Sequence, residues 1–233
     1  MGWLSPAEWE VVALSLKVGA VAILLVLPLA FLIAWLLARG RFRGKSLLDA
    51  LVHLPLVLPP VVTGWLLLLA FGANGPIGGW LQSALGITLV FRWTGAALAA
   101  AVMALPLMVR AIRLSLGSVD PRLEQAARTL GAGPWRSFAS VTFPLALPGV
   151  MAGLVLGFAR SIGEFGATIT FASNIPGETR TLPLAIYTAL QAPGGEQAVV
   201  RLAIASVLLS LGALLASEWL MRASGAGQGR HGL

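Results

Sequence analysis

The chain has 233 residues, 58% of them hydrophobic and only 11% charged, with a net charge of +7 at neutral pH. A mean hydropathy of +0.88 excludes an ordinary soluble domain and predicts an all-α, polytopic transmembrane helical bundle. The basic excess sits in short clusters beside apolar runs, a pattern that orients membrane helices rather than binding nucleic acid, and the lack of cysteine with only His53 and His231 leaves no metal cluster to expect.

Residues 1 to 10 hold Glu8 and Glu10 without Lys or Arg, unlike the basic head of a signal peptide. The apolar run 11–37 is long enough to cross a bilayer with some tilt. Arg39, Arg41, Arg43 and Lys45 follow at once, which places this loop inside and the amino terminus outside. Gly40-Arg-Phe-Arg-Gly44-Lys45-Ser46 is close to a phosphate loop, but three residues separate the glycines where four are needed, and no strand precedes it. It reads as a topogenic basic turn.

The second span, 47–71, contains Pro55, Pro59 and Pro60. Their missing amide donors predict a broken helix beside a water-lined path, with Thr63 and Gly64 offering a hydroxyl and a close backbone approach; a simple kink without pore contact is the alternative. His53, in the same apolar stretch, reads as packed or interfacial. Asn74-Gly75-Pro76 opens an external loop, in which Ile77, Trp80 and Leu81 suggest a short interfacial helix. The third span, 95–116, is rich in small residues from Ala96 to Ala104, is kinked at Pro106, and ends on Arg110 and Arg113 at the inner side.

Residues 120–144 are a charge-bearing amphipathic insert on that inner side. Asp120 is an N-cap, Pro121 suits the first helical position, Leu123, Ala126, Ala127 and Leu130 share a face, and Gly131 supplies the stop. A second short helix from Pro134 brings Trp135 near Phe138 before Pro144 opens the next apolar segment. Such a stripe, flanked by Arg122, Glu124, Gln125 and Arg128, suits docking into a groove on a soluble partner or rest on lipid headgroups.

The fourth span, 145–162, leads into Gly163-Glu164-Phe165-Gly166. Arg160 and Glu164, at i and i+4, can pair near the outer boundary, either as a gate lining the exit or as a neutralised anchor. Residues 167–197 are placed outside, with Leu182 to Leu190 a re-entrant or surface helix. The last span, 199–220, carries Ser206, Ser210 and Gly212 on its packing side and Glu218 and Arg222 at its inner end, before a short flexible tail, 223–233. Outside the membrane this leaves the arginines Arg92, Arg180 and Arg201.

Gln125-Ala126-Ala127, then Gly131 after three residues, then Val141-Thr142-Phe143-Pro144 after nine more, resembles the cytoplasmic signature loop of importer-type ABC permeases. The departures are Gln125 for Glu, Val141 for Ile and Phe143 for Leu; the family's acid is available only one residue early, at Glu124. Leu54-Pro55, Leu58-Pro59-Pro60, Gly72-Ala73-Asn74-Gly75-Pro76 and Gly163-Glu164-Phe165-Gly166-Ala167 ahead of Asn174-Ile175-Pro176-Gly177 resemble the molybdate permeases, and the sulfate permeases share much of this. The resemblance implies a single transmembrane domain over 1–233 in a bacterial or archaeal inner membrane, paired with a second copy around a central path. It also implies two copies of a separate ATPase docked at the loop, an extracytoplasmic oxyanion-binding protein and surrounding lipid, with no cofactor and no catalytic residue. Glu124, Gln125, Ala126, Ala127, Gly131 and Pro144 would couple to the ATPase; Pro59, Pro60, Thr63, Arg160 and Glu164 are the candidates for the path or its gate. Two other classes remain: a membrane enzyme acting on a lipid phosphate, which would need clustered acids where the nine here are scattered, and a passive channel, which would leave the signature loop unexplained.

Overall fold

The computed structural model describes the backbone of residues 3–223 and the side chains of residues 3–216; the expectations for Glu218, Arg222 and the tail 223–233 fall outside that range of described side chains. The first helix, α1 (Pro6–Arg39), starts on a reciprocal cap: Ser5 accepts from the Glu8 amide and the Glu8 carboxylate accepts from the Ser5 amide at 2.7 Å. At 34 residues it is about 51 Å long, so it overshoots a hydrocarbon layer of roughly 30 Å. Its first turns pack on later elements: Glu8 holds Arg201 at 2.8 Å, and Ser15 Oγ accepts from the Leu182 amide at 2.7 Å. Lys17, a cation inside the predicted span, lies 3.7 Å from the centre of the Trp93 ring, which receives its charge without a carboxylate.

After the basic turn come α2 (Lys45–Val57) and α3 (Pro60–Phe71), bent by 116° across Leu58 and Pro59. The second span is therefore two half-helices and no straight rod. The short α4 (Pro76–Leu85) leaves Trp80 exposed, and α5 (Trp93–Ser118) forms the centre of the molecule. The insert holds α6 (Pro121–Thr129) and α7 (Pro134–Ser137), which passes through a π turn, Phe138–Thr142, into α8 (Phe143–Ile162). No turn separates the second arm of the insert from the fourth span. The wider π register, with the Phe143 amide bonded to the Phe138 carbonyl, lets the helix run on into Pro144 despite its missing donor. The chain ends in α9 (Gly166–Phe171), α10 (Leu182–Gln191) and α11 (Glu196–Ala223). Among the described residues, four helices are long and apolar enough to cross a membrane, and the bent pair α2–α3 makes a fifth crossing if it counts as one.

The core is α1, α5 and α8. Along α1 the buried positions Val18, Ala22, Val26, Ala30, Ile33 and Leu37 recur every three or four residues, facing the alanine stripe of α5. On α8, Gly149, Gly153 and Gly157 stack against α5: a Cβ at Gly149 would overlap Ser115, and one at Gly157 would lie 2.7 Å from the Met108 sulfur. Small residues let these backbones approach, and dispersion between them replaces a hydrophobic drive that lipid does not supply. Among the described side chains of α11 the buried positions are Leu202 and Ala205, Ser206 is half-buried, and Ser210 and Gly212 are exposed. That corrects the expected packing side at Ser210 and Gly212, because the buried positions described in α11 lie in its first half. At 10 residues α10 is too short to cross; it lies against α11 and the first turns of α1.

Candidate functional site

The insert is built as two arms with opposite tasks. Asp120 accepts from the Arg122 amide at 2.9 Å, and α6 closes at Gly131, whose φ of 88° is the left-handed conformation that stops a helix. The other arm is fixed by aromatic rings. Trp135 meets Phe138 edge-on at 6.3 Å, and Phe138 and Phe143 both contact Phe31 of α1, at 6.1 and 6.0 Å.

Glu124 joins the arms. Its carboxylate accepts from the Thr142 hydroxyl at 2.6 Å and pairs with Arg39 at 3.2 Å, while its backbone carbonyl accepts from Ser137. Arg39 in turn donates to the Val119 carbonyl, so the end of α1, the entry to α6 and the π turn meet on one carboxylate. Glu124 therefore faces the body of the protein and Gln125 faces solvent. Leu123, Ala126 and Leu130 are also exposed, Leu130 by 89%, but Ala127 is half-buried. The outward apolar face is thus Leu123, Ala126 and Leu130, with Ala127 turned toward the body. Pro144 is exposed on the continuous helix.

The five path candidates fall into one neighbourhood. Pro59 and Pro60 are exposed at the bend, where the Pro59 carbonyl accepts from the Val62 and Thr63 amides. One turn on, α3 touches α9 backbone to backbone: a Cβ on Gly64 would lie 2.7 Å from the Ala167 carbonyl oxygen, and one on Gly166 would lie 2.7 Å from Pro60. Glu164, 1% exposed at its side chain, accepts from the Ala167 amide at 2.8 Å and pairs with Arg160 at 2.6 Å. It fixes the corner at which α8 turns into α9. Thr63 is buried with an unpartnered hydroxyl, so in this conformation only Pro59, Pro60 and Arg160 reach a surface. Among the described residues no group of three His, Cys, Asp or Glu could hold a metal ion.

Arg39, Thr142 and Gly166 are site residues that sequence reasoning missed. In the sequence Arg39 is an orienting charge, and nothing in the spacing pairs it with Glu124, 85 positions away. Asp49, which receives two bonds from Arg113 at 2.9 and 3.0 Å and ties α2 to α5, is a similar case.

Residues 19–225 match the family described as binding-protein-dependent transport system inner membrane component. The chain belongs to that family of transport permeases. This permease is 60% identical to the molybdenum transport system permease protein ModB of Escherichia coli K12, over 97% of its own length and 99% of the relative's. It is 59% identical to ModB of Haemophilus influenzae over 92% and 94% of the two chains, and 43% identical to the sulfate transport system permease protein CysT of Escherichia coli K12 over 79% and 65%. Among solved structures, the permease is similar to the inward-facing MetNI methionine ABC transporter, with a TM-score of 0.67, 17% identity and 94% coverage of each chain. It is also similar to a bacterial ABC transporter involved in the import of the acidic polysaccharide alginate, with a TM-score of 0.70, 16% identity and coverage of 97% and 81%. The fold is that of an ABC transporter permease, and the chain is a multi-pass membrane protein.

Proposed function

We propose that this permease is the membrane-spanning subunit of an ATP-driven importer of molybdate. Two copies enclose the path, a separate ATPase supplies hydrolysis, and an external oxyanion-binding protein delivers the anion. The observation that carries the substrate is the 60% identity, end to end, to permeases named for molybdenum transport. The docking reading rests on the exposed Leu123, Ala126 and Leu130 beside Gln125, an apolar patch on a helix whose other side is anchored. ATP-driven closure of the ATPase pair would move two such helices and turn the cavity outward. The basic residues Arg39, Arg41, Arg43, Lys45, Arg110 and Arg113 favour an inner loop side, with the amino terminus outside and the carboxyl terminus inside. Sulfate is the second reading, favoured by the 43% identity to CysT.

The test is ATPase activity of the permease with its copurifying ATPase in proteoliposomes, with binding protein loaded in turn with molybdate, tungstate and sulfate. Stimulation by molybdate and tungstate alone is expected. Stimulation by sulfate alone would move the assignment to the second reading, and the absence of any copurifying ATPase would refute the class.

A further inference from the structure

A cavity of about 560 Å³ lies between the inner half of α1 and the second arm of the insert, outside the docking face and away from the proline bend. Its walls are apolar over most of their length, formed by Phe31, Leu32 and Trp35 on one side and Trp135 and Phe138 on the other; Arg39, Glu124 and Arg128 stand at one end. The apolar wall is continuous with a face of α1 on which Leu24, Leu25, Leu29 and Leu32 are all about half exposed or more, the face that a membrane helix turns to acyl chains. From Pro28, at the deep end, to Arg39, at the polar end, the helix rises about 16 Å, close to half of a hydrocarbon layer of roughly 30 Å. Trp35 and Trp135, 42% and 83% exposed, stand near the polar end, where amphipathic rings sit at a headgroup boundary.

The charges at that end select the headgroup. Glu124, the one carboxylate, is held by Arg39 and by Thr142. Arg128 has no ion pair among the described residues, which leaves one uncompensated cation at the mouth. We infer that this groove binds one anionic phospholipid, an acyl chain lying along Phe31, Leu32 and Trp35 and the phosphate against Arg128. A lipid seated there touches both α1 and the arm that carries Trp135, so it forms part of the bed on which the insert rests.

The test uses the full chain, alone and assembled with its ATPase, in phosphatidylcholine nanodiscs doped with either phosphatidylglycerol or phosphatidylethanolamine, with retained lipid read by native mass spectrometry. One phosphatidylglycerol per chain, retained in preference to phosphatidylethanolamine, is expected in both preparations. Arg128→Gln should weaken retention about fivefold, the effect of one lost cation beside an anionic headgroup. Leu32→Trp, which fills the groove from a lipid-facing position, should abolish it, and Arg41→Gln, exposed but outside the groove, should leave it unchanged. Equal retention in all variants, or equal retention of the two lipids, would overturn the inference. So would loss of the lipid on assembly with the ATPase, which would make the ATPase the occupant.

Discussion

Gly131 and Glu124 set the shape of the insert by different physics, and substitution separates them. At Gly131 a Cβ would meet nothing within 4 Å, so the cost of a side chain is conformational alone, roughly 1–2 kcal/mol at a left-handed φ. Asn tolerates that region better than Ala. Hydrogen exchange at residues 121–131 should therefore rise in the order Gly131, Gly131→Asn, Gly131→Ala, with ATPase association falling in the same order. Equal protection in Asn and Ala variants would mean that the turn does not hold α6. Glu124 acts through its partners: Glu124→Ala strips the buried Thr142 hydroxyl of its acceptor, at about 1–3 kcal/mol, whereas Glu124→Gln keeps an acceptor oxygen and loses only the charge opposite Arg39. Circular-dichroism melting should show Ala clearly below Gln. The same residue shows where sequence reading stops. Its place one residue ahead of the signature's acid position was legible, but its inward orientation depends on Arg39 and Thr142, which only the fold brings to it.

Among elements, Gly149, Gly153 and Gly157 recur at four-residue intervals, a close-packing signature readable from sequence and absent from the expectations above. The long apolar helices, the break in the second span and the short helices α4 and α10 were legible, because hydropathy and breaker residues report on solvent and on local backbone. The continuous passage from α7 to α8 was not, since Pro144 marks a helix start as well as it marks a register shift, and only the π turn decides between them. The exposure of Ser210 and Gly212 on α11 was not legible for a related reason: Ser and Gly mark close approach but do not name the partner. Two glycine substitutions test the packing of α5 on α8. Gly149→Val should overpack against Ser115 and cost about 1–3 kcal/mol in detergent melting. Gly117→Ala, on α5 with nothing within 4 Å of a new Cβ, should instead gain roughly 0.5–1 kcal/mol from reduced backbone freedom in the unfolded chain. A loss at both positions would show that general glycine requirements, not the α5–α8 contact, govern stability.

Across the whole molecule, contacts run without a gap from the insert to the bend. Glu124 holds the π turn through Thr142, the π turn continues as α8, Glu164 fixes the corner from α8 into α9, and α9 lies backbone against α3 at Gly64 and Gly166, one turn from Pro59 and Pro60. Contiguity alone does not demonstrate coupling, since energy can spread over many residues without a defined route. A double-mutant cycle decides. If motion of the insert reaches the bend through this series, Glu124→Ala breaks it at one end and Glu164→Gln weakens it at the other, so the double variant should transport little worse than the poorer single variant. Independent sites this far apart in the chain would instead lose transport additively, within about 0.5 kcal/mol in transport free energy. ATPase activity measured in the same vesicles sharpens the reading, because a broken series predicts hydrolysis that continues while uptake falls. Hydrolysis and uptake falling together in the Glu164→Gln single variant would place that residue's effect on assembly, and would remove the corner between α8 and α9 from the route.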